Sequence, residues 1–213
     1  MVVRVCERAR RSGARSVTVA TDDARIRRAV ERAGFPALMT RRGHASGTDR
    51  IAEAASRLRL KADDIVVNVQ GDEPLIPPRL IAQVAAALSR RRAAAMSTAC
   101  HPIRDRASLE SPNVVKAVLD ARGYALYFSR ARIPYPREAK GVWYRHAGIY
   151  GFRVGFLRKF SALKQGPEEK TEALEQLRAL WHGYRIAVVV SRADIPPGVD
   201  TPRDLEAVRR MLR

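Results

Sequence analysis

The sequence predicts an α/β protein built on a doubly wound, mostly parallel sheet with an inserted antiparallel hairpin subdomain. Three features carry the prediction. Ile65-Val66-Val67-Asn68-Val69 puts four β-branched apolar residues in five positions ahead of the polar turn Gln70-Gly71-Asp72-Glu73-Pro74, the pattern of a strand buried on both faces. The first half of the chain alternates short apolar runs with segments of helical periodicity, which argues parallel strands joined by crossover helices. In the middle, Asn113 to Asp120 and Tyr124 to Ser129 flank Ala121-Arg122-Gly123, a hairpin signature.

The opening residues place apolar groups at 2, 5, 6 and 9, a helical spacing stopped by Ser12-Gly13. Ser16 to Ala20 is a short strand. Thr21-Asp22-Asp23 offers N-cap groups for a helix carrying Ile26, Ala29, Val30 and Ala33 and ended by Gly34. Ala37-Leu38-Met39 is the next strand, and a polar loop from Arg41 to Arg50 runs into a helix from Ile51 to Leu60, capped by Thr48 or Asp49. Pro77-Pro78 starts a helix through Leu88 with Leu80, Ile81, Val84 and Leu88 on its buried stripe. Strands follow at Met96 to Ala99, in the hairpin, and from Tyr144 to Phe152, whose glycines allow close backbone approach. A helix begins near Val154, another runs from Thr171 to Trp181, and Ile186 to Val190 is the last strand. Thr201, Pro202 and Asp204 make a strong start for the final helix.

With 213 residues and 46% apolar content, the chain fits one good-sized domain without a membrane-span pattern or a targeting leader. Cys6 and Cys100 lack metal-ligand spacing and fit a reducing compartment, so a cytoplasmic protein is expected. The net charge of +18 raises the question of a nucleic-acid partner. Arginine supplies 34 of the 40 cations and is spread along the chain with alanine, and the runs at Arg8 to Arg11 and Arg90 to Arg92 fall near helix ends, where cations suit the dipole. Aromatics are not interleaved with them, so stacking platforms are not suggested. A nucleic-acid partner is not expected.

Ligands in open α/β sheets collect beyond the carboxyl ends of the strands, which places Gln70, Asp72 and Glu73 where chemistry is expected. The alternative is an ordinary solvated turn. Because Thr201 and Asp204 serve the last helix, Asp200 is left as a second carboxylate. Two carboxylates on separate loops suit Mg²⁺, which takes one or two protein carboxylates and keeps sites for waters and phosphate oxygens. Such a cation neutralises charge on a transferring phosphoryl or nucleotidyl group.

Gly43-His44-Ala45-Ser46-Gly47-Thr48-Asp49-Arg50, Val67 to Pro74, Gly198-Val199-Asp200-Thr201-Pro202, Tyr124 to Arg130, Arg145 to Gly151 and Leu174-Glu175-Gln176-Leu177-Arg178 resemble the 3-deoxy-manno-octulosonate cytidylyltransferases. The resemblance is collinear over residues 1–213. It implies a nucleotide-diphospho-sugar transferase-like fold, a single nucleotidyltransferase domain, a homodimer with its contact around Ile133 to Tyr150, and a role in lipopolysaccharide biosynthesis. The implied reaction is CTP + Kdo → CMP-Kdo + pyrophosphate, with the anomeric hydroxyl of the sugar acid attacking the α-phosphorus of Mg²⁺-bound CTP.

By the same resemblance Asp72 and Asp200 hold Mg²⁺, and His44, Ser46, Gly47, Thr48 and Arg50 form the cytidine-side loop. Gln70, Arg130, His146, Tyr150, Glu175 and Gln176 line the Kdo pocket. Gln70, Arg130 and Asp72 form the catalytic set, with Arg130 or His146 for the sugar carboxylate. Tyr150 and His146 equally fit satisfied core groups. Family members open with an apolar strand and a basic, glycine-rich phosphate loop that have no counterpart ahead of Met1-Val2-Val3. The expectation is an apolar slot in the sheet, weakened phosphate binding and a functional protein that extends upstream. The rival functions are a cytidylyltransferase for a related sugar acid and an inactive relative that binds nucleic acid through charge alone.

Overall fold

The computed structural model describes residues 1–44, 46–137, 141–196, 198–199 and 201–211. It opens with α1 (Val2–Arg10), β1 (Val19–Thr21), α2 (Ala24–Arg32) and β2 (Ala37–Met39), then α3 (Gly47–Arg57), β3 (Ile65–Asn68) and α4 (Pro78–Arg90). The middle of the chain supplies β4 (Ala94–Pro102), α5 (Arg106–Glu110), β5 (Lys116–Leu119), β6 (Ala125–Ser129) and β7 (Tyr144–Arg153). It closes with α6 (Val154–Phe160), α7 (Pro167–Glu172), α8 (Leu177–Trp181), β8 (Arg185–Val190) and α9 (Pro202–Met211).

The long strand β7 organises the sheet. One edge pairs antiparallel with β4, and β4 pairs parallel with β8. The other edge is shared: β3 takes Tyr150 to Arg153 and β5 takes Tyr144 and Arg145. β3, β4, β5 and β8 therefore point one way, while β7 and the hairpin strand β6 run against them. The α/β class and the hairpin expected from the sequence are both present. The sheet is mixed because β7 and the hairpin arrive from the insert, so β7 opposes the strands that it joins.

The fit of β7 against its neighbours demands a glycine. A Cβ on Gly151 would lie 2.5 Å from Ser97 Oγ and 3.1 Å from the Val84 side chain, closer than a packed interior tolerates. The main core lies around Phe128, Phe152, Phe160, Leu157, Leu177 and Ile186, and a second cluster joins Leu80, Ile81 and Val84 of α4 to Ile149. The predicted α4 stripe is buried at all four positions. Among the described residues, no helix is long and apolar enough to cross a membrane.

Two expectations need correction. Helix α3 begins at Gly47, not Ile51, because Ser46 is its cap and accepts from Asp49 N at 3.2 Å; this frees the Thr48 side chain. The helix expected from Thr171 to Trp181 is two short helices, since Ala173 adopts φ +51 and Leu174 N turns back to Glu169 O. That break creates the link carrying Glu175 and Gln176.

β1 pairs parallel with β2, and β3 pairs with β7, but among the described residues no strand pairs with the edges of β1 and β3 that face each other. Between them lies a cavity of about 1040 Å³, lined by Val19, Val66 and Val67 from the strands, Val5 and Cys6 from α1, Ala54 from α3 and Ile81 from α4. The slot expected from the sequence is thus present.

Candidate active site

Because β3 ends at Asn68 and β5 begins at Lys116 on the same edge of β7, residues 146 to 149 lie in a gap between them. The opposite edge carries a bulge there: Thr98 pairs with Tyr150 but Ala99 pairs with Ala147, so β7 has two extra residues. Bulges re-aim side chains, and they recur beside active sites. Thr98 fills this one, its hydroxyl donating to Ile149 O at 2.8 Å with Ala147 O at 3.2 Å. That spends its single proton, so the network assigns His146 Nε2–H as the donor to Thr98 Oγ1 at 2.8 Å.

Burial pushes His146 down to about 3, so the imidazole is neutral at neutral pH. Its ring packs edge-on to Phe128 at 4.8 Å and lies 5.5 Å from Tyr150. Burial and the nearby Glu175 charge raise the Tyr150 phenol, which keeps its proton and donates to Gln176 Oε1 at 3.1 Å. The link 173–176 meets the start of α3 at Thr48, whose Oγ1 donates to Glu175 Oε2 at 2.7 Å. Two buried atoms here have no hydrogen-bond partner among the described residues, Glu175 Oε1 and Gln176 Nε2. Such atoms are rare inside a protein, and Glu175 Oε1 has the Arg178 guanidinium nearby, at 3.9 Å.

Gly47 stands beside Asn68, where a Cβ would come within 3.8 Å of Asn68 Nδ2. The cavity that begins as the slot continues past Thr21, Gly47, Arg50, Asn68, Gln70 and Asp72, so the carboxyl ends of β1 and β3 and the first turn of α3 share one cleft. Val199 N donates to Asp72 O at 2.9 Å, and a Cβ on Gly198 would be 3.3 Å from Glu73 Oε1. The last loop therefore runs against the turn that bears Asp72. Asp200 lies outside the described residues. A hard carboxylate at Asp72 in a cleft shared with a helix N-terminus fits a Mg²⁺-nucleotide; among the described residues no cluster of three or more metal-ligating side chains is present.

The structure thus sets Gly47, Gln70 and Asp72 on one cleft, with Ser46 capping the helix start beside it, while hydrogen bonds and ring contacts link Thr48, Glu175, Gln176, Tyr150 and His146 into a cluster that meets the first turn of α3. Three other nominated side chains are engaged by the protein itself. His44 Nε2 lies 2.6 Å from Glu53 Oε2, and Arg50 donates to Thr40 Oγ1 at 2.7 Å and Asp22 Oδ2 at 3.0 Å, bracing the ends of β1 and β2. Arg130 donates from Nε to Glu172 O at 2.8 Å and from Nη1 to Pro112 O at 3.1 Å. Sequence reasoning did not single out Thr98, Glu53 or Glu172, which hold these residues, and read Asp22 only as a possible helix cap, whereas Asp23 is the cap and Asp22 holds Arg50. The Ser97-Thr98 pair inside an otherwise apolar strand was the one visible signal.

Residues 1–186 match the model of the cytidylyltransferase family. A 3-deoxy-manno-octulosonate cytidylyltransferase of Acidovorax sp. (strain JS42) is 55% identical over 228 residues, covering 100% of this chain and 87% of its own length. The chain belongs to the 3-deoxy-manno-octulosonate cytidylyltransferase family. The cytidylyltransferase of the same name from Polynucleobacter necessarius subsp. necessarius (strain STIR1) is 52% identical, with 85% of its length covered. A solved CMP:2-keto-3-deoxy-manno-octonic acid synthetase complexed with CTP superposes with a TM-score of 0.93 at 42% identity, over 99% of this cytidylyltransferase and 86% of that chain. The 4-diphosphocytidyl-2C-methyl-D-erythritol synthase, at 14% identity and a TM-score of 0.62, shares the fold.

Proposed function

We propose that this chain activates Kdo by the reaction CTP + Kdo → CMP-Kdo + pyrophosphate. The observation that carries the reading is a pair of buried atoms without a hydrogen bond among the described residues, Glu175 Oε1, which has Arg178 Nη2 at 3.9 Å, and Gln176 Nε2, in the cluster that Thr48 joins to the helix start whose Gly47 shares the cleft with Asp72. A polyhydroxylated acid needs such donors and acceptors. The similarity to a synthetase complexed with CTP supports the nucleotide half.

In this reading the backbone at Gly47 and the α3 dipole face the nucleotide. Glu175 and Gln176 bond the sugar hydroxyls, and Tyr150 fixes the Gln176 amide. The sugar carboxylate needs a cation. Burial pushes His146 down to about 3 and leaves it neutral, which supports Arg130 as the cation for that carboxylate. Asp72 and Asp200 would hold Mg²⁺, which when bound offsets negative charge on the triphosphate. The anomeric oxygen forms its bond to the α-phosphorus as the bond to the bridging oxygen breaks, pyrophosphate leaves, and the hydroxyl proton passes to solvent.

We further infer one nucleotidyltransferase domain over residues 1–213 that works as a homodimer in the cytoplasm. Exposed Tyr135 and Val142 support a contact on the Ile133 to Tyr150 segment, and two buried free cysteines fit a reducing compartment. The test is pyrophosphate release with CTP and Mg²⁺, with and without Kdo. Kdo-dependent release is expected; release that ignores Kdo but responds to a related sugar acid would move the substrate, and none with either would overturn the reading.

A further inference from the structure

Lys116 is fully buried, at 0% exposure. A lysine is almost never buried without partners, and here all three ammonium protons are spent on main-chain carbonyls: Ser111 O at 2.9 Å, Val114 O at 2.7 Å and Arg130 O at 2.6 Å. Burial lowers its affinity for the proton, and the nearby Glu172 charge restores part of it. Glu172 in turn accepts from Ser129 Oγ at 2.5 Å and from Arg130 N at 2.9 Å.

Every main-chain group of Arg130 is therefore held by a buried or half-buried charge. Its side chain is held as well, by Glu172 O at the end of α7 and by Pro112 O in the loop that Lys116 draws in. What remains without a partner among the described residues is the Nη2 edge and one proton of Nη1. A guanidinium fixed along one side and open along the other is pre-organised to take a carboxylate through two parallel hydrogen bonds. The same grip fixes Glu172 three residues before Glu175, at the foot of the link that forms the pocket.

We propose that Lys116 and Glu172 are positioning residues that hold Arg130 with its Nη2 edge presented to the sugar-acid carboxylate. This rests on the reading of Arg130 as the Kdo carboxylate group. Ordering costs met in the folded protein are not met again on binding, so the clamp acts on the sugar acid and not on CTP.

The experiment measures KM for Kdo and for CTP in the full chain and in Glu172→Gln, Lys116→Met, Arg130→Ala and the double variant Lys116→Met with Arg130→Ala. Each clamp variant is expected to raise KM for Kdo at least tenfold with KM for CTP within twofold, and the double variant to be no worse than Arg130→Ala alone. Parallel rises in both KM values, or effects that multiply in the double variant, would overturn the clamp. Should Lys116→Met not fold, Glu172→Gln decides the question. A second readout, exchange of the Arg130 Nε–H with solvent followed by NMR, is expected to accelerate at least tenfold in Glu172→Gln, and unchanged exchange overturns the proposal. If the parent shows no Kdo-dependent release, the functional reading falls and this exchange alone judges the clamp.

Discussion

Thr48 Oγ1 donates to Glu175 Oε2 at 2.7 Å across 127 residues of sequence, joining the first turn of α3 to the link between α7 and α8. In the proposed reading this one hydrogen bond fixes the nucleotide side of the site to its sugar side. Thr48→Val keeps the shape and removes the donor, leaving the Glu175 carboxylate without that partner. The expected loss is about 1–3 kcal/mol of stability, with kcat/KM for Kdo falling about tenfold, the equivalent of about 1.4 kcal/mol. Thermal melts and Kdo titrations check both; an unchanged kcat/KM would mean that the two sides are aligned without this contact.

His146 sets an acid limit on the fold. An unfolded histidine takes up a proton near 6.5, whereas the folded one does so only near 3. Between those values the unfolded state binds more protons. Stability is therefore fully present above about pH 6.5 and declines as the pH falls toward 3, by about 1.4 kcal/mol per unit. His146→Gln is expected to flatten this limb of a denaturation series run from pH 7.5 to 4.

The fold was largely legible because its signals are local. The α4 stripe, the hairpin around Gly123 and the Thr201 cap each rest on residues a few positions apart, and each stands as read, with Thr201 N donating to Asp204 Oδ2 at 2.9 Å. The break at Ala173 was not legible, because alanine favours helix and only the tertiary fit of the link imposes φ +51. Residues of the proposed site could be named from motifs. Their supports could not, since Thr98, Glu53, Asp22 and Glu172 act through partners 9 to 48 residues away, and pairing at that range is set by the fold.

In the proposed reading Glu53 bears on the nucleotide side alone. Burial disfavours its charge, yet bonds from His44, the Arg41 backbone, Arg57 and the Arg41 side chain outweigh this and hold it at about 2. A carboxylate so lowered stabilises the fold fully above about pH 4.5, and the contribution is lost as the pH falls toward 2. Glu53→Gln is expected to melt below the parent at pH 7, with the gap closing in acid. It should also raise KM for CTP several-fold and leave KM for Kdo unchanged, because the loop from Arg41 to His44 loses its anchor on α3.

The slot between β1 and β3 makes the last prediction. Helix α1 starts beside the carboxyl end of β3, where a Cβ on Gly71 would meet Val2 Cγ2 at 4.0 Å, and it leads into β1. A strand lying in the slot parallel to β1 and β3 would end at that same edge, so a short loop could join it to Met1 in a right-handed crossover. Strands advance about 3.3 Å per residue, so about five residues would span the flanking strands. Burying five apolar side chains gains about 1.5–3 kcal/mol each, against about 1–2 kcal/mol each for ordering the backbone. A net gain of about 2 kcal/mol would raise Tm by about 4–8 °C. The measurement compares the parent with a chain extended ahead of Met1 by five Val and Ile residues and a glycine-rich loop. A higher Tm with slower amide exchange in β1 and β3 is the expected result; an unchanged Tm would mean that the slot closes on itself in solution.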